Sequence, residues 1–434
     1  MNTLRNQFIY QVFVRNYSQE GTINKVTEDL DRIKDLGVDI VYLMPIQPIG
    51  IVGRKGAYGS PYAIRNYTAI SEDLGTLEDF KRLIQEAHQK GLKVMLDIVF
   101  HHSAPDHHWV TEHPEFYHWK NGKLSNKVGD WSDIADFEYE NNPLLIRKLT
   151  DILLYWVFMG VDGFRFDVAS MIPHSFYRAA FPEVKKANPN TLFLAESVDF
   201  NFVDELRYLN HNCLSDAELY AYFDLLYDYD NQTNFVGYLR GNLPLEELRK
   251  SYRLQERIYP MKYVKVRNVE NHDNPRIRYY TQDDVKALNW LAYVFFAKGT
   301  AFLGFGVETG TDHLALLFEK DPMDWSKIRP EWVELIKKLA HMKKQPIFAQ
   351  DFGYRIVSHP QDVLHFEYHN EKEHLIGIFN VGGAEGILTV NLPEGVYVNQ
   401  LTQEPIEVRF STLPLSKQPL IFSIPQDSNQ KPNH

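Results

Sequence analysis

The sequence predicts an α/β fold: a (β/α)8 TIM barrel with a short insertion after strand 3 and a C-terminal antiparallel β domain. A repeated unit supports the barrel. In each copy an amphipathic helix is followed by a glycine and a short apolar strand. Eight strand-like runs occur along the chain, the number that such a barrel requires. From about residue 345 the helical pattern ends, and short alternating segments separated by Gly and Pro indicate the β domain.

The repeated unit of helix, glycine and strand occurs four times, the last copy being the faintest. The copies are Leu30–Leu36, Gly37 and Val38–Met44; Phe80–Lys90, Gly91 and Leu92–Val99; Ile146–Met159, Gly160 and Val161–Phe166; and Ala287–Lys298, Gly299 and Thr300–Leu303. Glycine fits between the helix and the strand because it adopts the left-handed conformation that ends many helices. Repeated units of this kind imply a parallel sheet with right-handed crossovers.

Four further apolar runs complete the set of eight strands. They are Phe8–Val14, Leu192–Ala195, Glu218–Phe223 and Val264–Val269. The competing architecture is an open, doubly wound sheet, which binds nucleotides through a glycine-rich phosphate loop after its first strand. No such loop follows the first run here, so we favour the barrel.

Three regions are expected in the domain organisation. A catalytic barrel covers residues 1–344, a short insertion domain at 102–136 interrupts it, and a C-terminal antiparallel β domain covers 345–434. The insertion is polar, rich in His and Trp and without clear periodicity, and its aromatic residues favour an ordered loop that forms part of a site. The strands predicted in the last region are Tyr354–Ser358, His374–Asn380 and Ile387–Leu392.

The composition is typical of a soluble globular enzyme. The 434 residues are 44% hydrophobic and carry a net charge of -11, which disfavours nucleic acid and anionic membrane surfaces as partners. Cys213 is the only cysteine, so no internal disulfide can form. The N-terminus lacks the apolar core of a signal peptide, and no apolar run is long enough to span a bilayer. We therefore expect a cytoplasmic protein.

Asp167, Glu196 and Asp273 each stand where a short apolar run ends. An unpaired buried charge is costly, so packing does not explain carboxylates at these positions. Ligands of parallel α/β proteins bind at the carboxyl ends of the strands, so we expect the three acids to share one site. Arg165 precedes Asp167 by two strand positions and points to the same side, where its charge favours a carboxylate. Asp97 on the third strand is expected to be a structural partner of Arg165 rather than a catalyst.

Several short motifs together resemble those of the α-amylase family of glycoside hydrolases. The strongest are Asp97-Ile-Val-Phe-His-His102, Gly163-Phe-Arg-Phe-Asp167, Glu196 and Asn271-His-Asp273. Supporting ones are Gly37–Pro45, Gly59-Ser-Pro-Tyr62, Leu74-Gly-Thr76 and Gly299–Gly310. The resemblance runs in order from about residue 8 to residue 310, with a matching β domain after it.

The resemblance implies a role for each of the three acids. Asp167 is expected to be the nucleophile that forms a covalent glycosyl-enzyme. Glu196 is expected to protonate the leaving oxygen and then to activate water, and Asp273 to hydrogen-bond sugar hydroxyls and help distort the ring. Hydrolysis with retention requires the two reacting carboxyl groups to lie about 5–5.5 Å apart.

The resemblance also implies four substrate-binding residues. Arg165 is expected to orient Asp167 and keep it ionised. His102 and His272 are expected to bind hydroxyls of the sugar that is cleaved, and Tyr62 to stack on its ring.

No metal ion and no cofactor are expected. The histidines of the insertion show neither a His-Glu-x-x-His helix nor a Cys/His pairing, so they do not predict zinc. Many calcium-binding members of the family have Asn where this chain has His101, and a Lys-His pair where it has Ser170-Met171. The usual calcium sites are therefore not expected.

The predicted function is hydrolysis, with retention, of α-1,4-glucosidic linkages in starch-derived oligosaccharides or maltodextrins. The partner is thus an α-glucan oligosaccharide. An α-1,6-glucosidase, an exo-acting α-glucosidase or a glucanotransferase is the alternative, because linkage and acceptor choice depend on loop shape and not on the three acids. A non-catalytic binding relative is the least favoured reading, since all three carboxylates are retained.

Overall fold

The computed structural model describes residues 1–128 and 131–425. Its barrel strands are β1 (Phe8–Val12), β2 (Ile40–Leu43), β3 (Lys93–Ile98), β4 (Gly163–Phe166), β5 (Leu192–Ala195), β6 (Leu225–Tyr227), β7 (Lys265–Arg267) and β8 (Thr300–Gly304). They form a closed barrel in the order β1-β8-β7-β6-β5-β4-β3-β2. The predicted (β/α)8 barrel with a C-terminal antiparallel β domain is therefore confirmed.

The sixth strand was predicted wrongly at Glu218–Phe223. These residues begin within the short helix Asp216–Leu219, and the strand follows at β6. Ser215 and Glu218 form a capping box that starts the helix, because each side chain accepts the backbone N–H of the other. The local cap therefore outweighs the strand propensity of the Tyr and Phe residues that follow.

The four predicted helices are present, and their bounds differ from the predicted ones by at most three residues at either end. In the described residues the α-helices are Val14–Tyr17, Ile23–Glu28, Leu30–Asp35, Leu77–Gln89, Trp109–Glu112, Pro143–Phe158, His174–Ala187, Phe200–Tyr208, Asp216–Leu219, Gln232–Leu239, Leu245–Ile258, Ile277–Thr281, Asp284–Phe296 and Pro330–Lys343. Gly37, Gly91 and Gly160 have φ angles of 89°, 68° and 100°, so the predicted left-handed turn between helix and strand is present in each. Within 1–128 and 131–425, no helix combines the length and apolar character needed to cross a bilayer.

One compact unit comprises Ile9–Asp230 and Ala315–Trp325. Its insertion is held by two short antiparallel ladders, in which His102–Ser103 pairs with Ala135–Asp136 and Trp119–Lys120 pairs with Lys123–Leu124. Residues 129 and 130 of the insertion lie outside the described part. The first ladder returns the chain to the end of β3, so the insertion begins and ends beside the barrel strands of this unit.

A second compact unit comprises Met1–Phe8, Asn231–Leu314 and Ser326–His434, of which residues 426–434 lie outside the described part. Its C-terminal strands are β9 (Tyr354–Val357), β10 (Leu364–His369), β11 (Glu373–Phe379), β12 (Ile387–Thr389), β13 (Gly395–Val398), β14 (Pro405–Val408), β15 (Thr412–Pro414) and β16 (Leu420–Pro425). They form one sheet of order β9-β10-β11-β16 and the pairs β12-β15 and β13-β14, all antiparallel.

The C-terminal sheet packs on the helix Asp284–Phe296 within this unit. A Cβ at Gly377 would lie 2.7 Å from the Phe296 ring, so only glycine allows β11 to approach the helix this closely. Tyr368 donates to the Phe296 carbonyl at 3.1 Å, and the Phe296 and Phe379 rings lie 5.5 Å apart. This contact buries the apolar face of the sheet.

Candidate active site

Arg165 is fully buried and contacts three carboxylates. Its Nη1 lies 2.8 Å from Asp97 Oδ1 and 3.0 Å from Asp167 Oδ1. Its Nη2 lies 2.7 Å from Glu196 Oε1, a charge contact without hydrogen-bond alignment. The structure thus brings Arg165, Asp167 and Glu196 together as predicted, and Asp97 pairs with Arg165 as predicted.

The parallel register of three neighbouring strands produces this cluster. Asp97 on β3 stands opposite Arg165 on β4, and Phe166 on β4 stands opposite Ala195 on β5. Asp167 and Glu196 are therefore the first residues beyond two paired strands. Their main chains continue the ladder, because Asp167 N donates to Ile98 O at 2.9 Å and Glu196 N donates to Phe166 O at 3.0 Å.

Three tyrosines surround the cluster. The hydroxyls of Tyr42 and Tyr62 donate to Asp97 Oδ2 at 2.5 Å and 3.1 Å. The Arg165 guanidinium lies 5.6 Å from the Tyr62 ring centre and 5.4 Å from that of Tyr227. Tyr62 was predicted from its motif. Tyr42 and Tyr227 were not, although each stands on a barrel strand, and the misplaced sixth strand hid Tyr227.

Val168, directly after Asp167, is a further residue that sequence reasoning missed. Its φ and ψ are both 43°, a left-handed conformation that a β-branched residue rarely adopts. In this conformation its N–H donates to Glu196 Oε2 at 2.8 Å. The strained turn therefore links the two acids through the main chain.

Burial and the neighbouring charges shift the pKa of both Asp167 and Arg165. Burial raises the pKa of Asp167 well above its usual value, and Glu196 raises it further, whereas Arg165 lowers it. Burial acts to lower the pKa of Arg165, but Asp97 and Glu196 outweigh this and raise it well above its usual value. Asp167 and Glu196 therefore share a permanent cation, and the charge of Glu196 acts directly on the pKa of Asp167.

His102 lies at the start of the insertion in the same unit, where it is 4% exposed. Burial lowers its pKa to about 3, so the ring is neutral at physiological pH and offers one donor and one acceptor. Its Nδ1 lies 3.1 Å from Nδ1 of His101, which is equally buried and whose pKa burial also lowers to about 3. Tyr67 donates to the His102 carbonyl at 2.6 Å and fixes its backbone.

His272 and Asp273 lie in the second unit, in the loop that follows β7. His272 Nε2 is 3.3 Å from Asp273 Oδ2, and the Asp273 side chain is 41% exposed. Asn271 is buried, and its Oδ1 accepts the N–H groups of Asp273 and Asn274 at 3.0 Å each. The Asp273 side chain is therefore partly exposed to solvent, and the hydrogen bonds of Asn271 fix the backbone of the loop at Asp273 and Asn274.

The residues at the family's calcium position do not fit calcium. Calcium requires six to eight oxygen ligands, whereas His101 supplies nitrogen there. Ser170 Oγ accepts the Val198 N–H at 3.3 Å, and Met171 is buried in an apolar cluster with Val203 and Leu206.

Two models of known protein families match the chain. The family model "Alpha amylase, catalytic domain" matches residues 8–347, and the "Bacterial Alpha amylase C-terminal domain" model matches residues 355–422. An α-amylase structure from Lactobacillus plantarum is similar at 40% identity and a TM-score of 0.93, covering 98% of this chain and 100% of that one. A maltogenic α-amylase structure from Thermotoga neapolitana is similar at 29% identity and a TM-score of 0.87, with the same coverage.

Curated relatives carry a transferase name. An α-1,4-glucan:maltose-1-phosphate maltosyltransferase of Cereibacter sphaeroides is 36% identical over 212 residues, which are 43% of this chain and 36% of that protein. A protein of the same name from Picrophilus torridus is 33% identical over 264 residues, 54% of this chain and 41% of that protein. The chain therefore covers well under half the length of these relatives.

Proposed function

The chain belongs to the α-amylase family, and we propose that it is a retaining glycoside hydrolase that cleaves α-1,4-glucosidic linkages in maltodextrins or starch-derived oligosaccharides. Asp167 is the nucleophile, Glu196 the general acid and base, and Asp273 the stabiliser of the transition state. The proposed setting is the cytoplasm, with an α-glucan oligosaccharide as the substrate and no nucleic acid or membrane as a partner. The proposed bond cleavage uses the two carboxyl groups alone, so we assign no cofactor to it.

In the first step Asp167 attacks the anomeric carbon while Glu196 gives its proton to the oxygen of the leaving sugar. The glycosidic bond breaks, and an ester to Asp167 forms. In the second step Glu196 takes a proton from water, the water oxygen attacks the anomeric carbon, and the ester bond breaks. Both displacements invert the carbon, so the product keeps the α configuration.

One observation carries the proposal: a single buried guanidinium contacts both Asp167 and Glu196. Two carboxyl groups that share one cation lie close together, which supports the short spacing of about 5–5.5 Å in retaining enzymes. Burial and the neighbouring charge of Glu196 raise the pKa of Asp167, so the site disfavours a second negative charge. In the proposed reactive state the proton is on Glu196, Asp167 is the nucleophile, and Arg165 stabilises its charge.

The proposed sugar-binding residues support this reading. Tyr62 is held beside Asp97 and Arg165, and its ring offers an apolar face for a pyranose. Neutral His102 provides hydrogen-bonding groups without a charge. Asp273, whose side chain is open to solvent, is the proposed ligand of sugar hydroxyls, together with His272.

The test compares maltoheptaose with isomaltose as substrates of the purified protein. We expect cleavage of maltoheptaose, with the α anomer formed first as seen by proton NMR, and little cleavage of isomaltose. Asp167→Asn should abolish turnover, and Glu196→Gln should reduce it by about 10²–10⁴-fold. The control is Asp151→Asn, which removes an exposed carboxylate on the helix Pro143–Phe158 and should retain activity. First formation of the β anomer would refute retention.

A second experiment separates the two roles. An α-maltosyl fluoride needs no proton on its leaving group, so Glu196→Gln should still release fluoride from it in a burst. Asp167→Asn should release none. Equal loss in both variants would remove Glu196 from the acid role.

Transfer to an acceptor sugar is the second candidate, because the curated relatives are named maltosyltransferases. The same ester at Asp167 would then react with a sugar hydroxyl instead of water. Incubation with maltose 1-phosphate and a maltooligosaccharide decides between the two. Phosphate release with chain elongation favours transfer, and elongation should be absent if hydrolysis is the function. Faster cleavage of isomaltose than of maltoheptaose would favour the α-1,6-glucosidase. Release of glucose as the sole product would favour an exo-acting glucosidase. Absence of turnover on every substrate would favour a binding protein.

A further inference from the structure

The turn that directly follows Asp167 contacts the segment that carries Glu196 at two points. The N–H of Val168 donates to Glu196 Oε2 at 2.8 Å. Two residues further along the turn, the fully buried Ser170 accepts the Val198 N–H on its Oγ at 3.3 Å. All of these residues belong to one compact unit. The first contact holds the carboxyl group of Glu196, and the second holds the main chain two residues beyond it.

The turn has a conformation that its sequence disfavours. The φ and ψ angles of Val168 are both 43°, which is costly for a β-branched residue and persists only where other contacts enforce it. The Met171 N–H donates to the Val168 carbonyl at 2.8 Å, and the Tyr177 hydroxyl donates to the Ala169 carbonyl at 2.7 Å. The side chains of Val168 and Met171 also pack in one apolar cluster. The fold therefore maintains a strained turn whose N–H contacts Glu196.

Glu196 lies in an irregular segment between β5 and the helix that follows it. Secondary structure does not fix a carboxyl group at such a position, so individual contacts determine where it lies. On one side of the segment, Ser197 Oγ donates to the Tyr227 carbonyl of β6 at 3.2 Å. On the other side, Ser170 Oγ accepts the Val198 N–H. Loss of the Ser170 hydroxyl would leave the main chain after Glu196 without its hydrogen bond to the turn.

We propose that the turn of residues 168–171 positions Glu196 for proton transfer, through the N–H of Val168 and the Oγ of Ser170. This inference rests on the proposed role of Glu196 as general acid and base. The Val168 N–H on Oε2 and Arg165 Nη2 beside Oε1 restrict rotation of the carboxyl group. Misplacement of a catalytic group by about 1 Å can cost about 10²-fold in rate. Val168 and Ser170 are therefore positioning residues, because they act through Glu196.

The contact made by Ser170 depends on the residue type at this position. Many calcium-binding members of the family have a Lys-His pair where this chain has Ser170-Met171. A lysine ammonium carries three donors and no acceptor, so it could not accept the Val198 N–H. The hydroxyl of serine can accept this N–H, and its short side chain fits a fully buried position. The brace between the turn and Val198 thus distinguishes this chain from those members.

The experiment compares two substrates that differ in their need for an acid. Maltoheptaose requires a proton on its leaving oxygen, whereas the fluoride of α-maltosyl fluoride leaves without one. Ser170→Ala should lower kcat on maltoheptaose by about tenfold and leave the burst rate of fluoride release nearly unchanged. Replacement of Val168 by the α-hydroxy acid of valine deletes the N–H and keeps the side chain. This backbone ester should show the same difference between the two substrates.

Two matched controls separate positioning from a general loss of structure. The same hydroxy acid at Val110 removes an N–H that donates to the His107 carbonyl at 3.0 Å in the insertion. Thr150→Ala removes a buried hydroxyl that donates to the Ile146 carbonyl at 2.7 Å. Both controls should cleave the two substrates at wild-type rates per folded molecule, whatever their effect on Tm.

Glu196→Gln is measured alongside, because it must itself lose far more rate on maltoheptaose than on the fluoride. If it does so, but Ser170→Ala and the Val168 ester lose equal rate on both substrates or none on either, the positioning role is overturned and the proposed function stands. If Glu196→Gln shows no such difference, the acid assignment fails and the positioning role fails with it. If Ser170→Ala does not fold, the Val168 ester decides the question.

Discussion

The Nη2 atom of Arg165 lies 2.7 Å from Oε1 of Glu196, so the cation expected to serve Asp167 alone contacts both of the proposed reacting carboxylates. This contact explains how two acids on neighbouring strands remain folded close together in a buried site. It also means that the charge of Arg165 acts on both proton-transfer partners. The contacts depend on the planar geometry of the Arg165 guanidinium, whose two Nη atoms contact different carboxylates, and not on its charge alone.

Arg165→Lys should therefore lose most of the activity although it keeps the charge. A lysine ammonium is one point charge and cannot contact Asp97, Asp167 and Glu196 from separate nitrogens. We expect kcat on maltoheptaose to fall by at least about 10²-fold and the Tm to decrease. Arg147→Lys, in an exposed ion pair with Asp151, is the control and should change neither. Retained kcat in Arg165→Lys would show that the bridging geometry is dispensable.

Asp167→Asn should stabilise the protein at neutral pH. The folded-state pKa of Asp167 is raised above the usual 3.8, so the native state binds more protons than the unfolded state above that pH. The stability contributed by this residue is therefore lost as pH rises through the raised pKa. Asparagine cannot ionise, and Tm should rise by about 2–4 °C for each kcal/mol recovered at pH 7.

The raised pKa of Asp167 also determines how the gain in Tm of Asp167→Asn depends on pH. The difference in Tm between Asp167→Asn and the wild type should be largest at pH 7–8 and shrink as the pH falls toward about 4. Asp151→Asn, at an exposed carboxylate, should show no comparable trend. A Tm difference that grows in acid would contradict the raised pKa.

Most of the fold was predictable because its signals are local. Each helix–glycine–strand unit carries its own pattern, and the positive φ angles of Gly37, Gly91 and Gly160 match it. The sixth strand was missed because β6 has only three residues and cannot show a periodicity. The preceding Tyr- and Phe-rich run imitates a strand, and its capping box is the one local sign against that reading.

The site was predictable only where strand geometry determines it. Arg165 and Asp167 share a side because side chains alternate, and the parallel register places Asp97 opposite Arg165. The contact between Arg165 and Glu196 depends on the path of a side chain beyond the strand, which no residue pattern encodes. The left-handed conformation of Val168 is likewise invisible in the sequence, because valine disfavours it.

Glu270→Gln should impair the loop that carries Asp273. Glu270 and Arg276 are both buried, and Glu270 Oε1 lies 2.7 Å from Arg276 Nη1. Glu270 Oε2 also accepts the Ile277 N–H at 2.8 Å, so this carboxylate closes the loop between residues 270 and 277. Removing its charge leaves Arg276 buried without its counter-ion, at a cost of about 3–5 kcal/mol.

The expected readout is a lower denaturant midpoint together with a higher KM and a lower kcat for maltoheptaose. Glu256→Gln is the matched control, because Glu256 pairs with the buried Lys298 at 2.7 Å in the same unit. It should lower stability but leave the kcat of the folded protein unchanged. Equal effects of the two variants on kcat would argue against a positioning role for Glu270.

His107→Gln should make the fold less sensitive to acid. Burial lowers the pKa of His107 from 6.5 to about 3, and its Nδ1 accepts the Trp109 N–H at 3.1 Å. Between these two pH values the unfolded chain binds a proton at this residue that the native state does not, so stability is lost as pH falls below 6.5. One such proton changes the free energy of unfolding by up to about 1.4 kcal/mol per pH unit.

Urea unfolding at pH 7.0, 6.0 and 5.0 should show a smaller loss of stability in His107→Gln than in the wild type. His108→Gln, next in the chain but half-exposed, should follow the wild type; a parallel loss in all three proteins would exclude His107 as a source of the acid sensitivity.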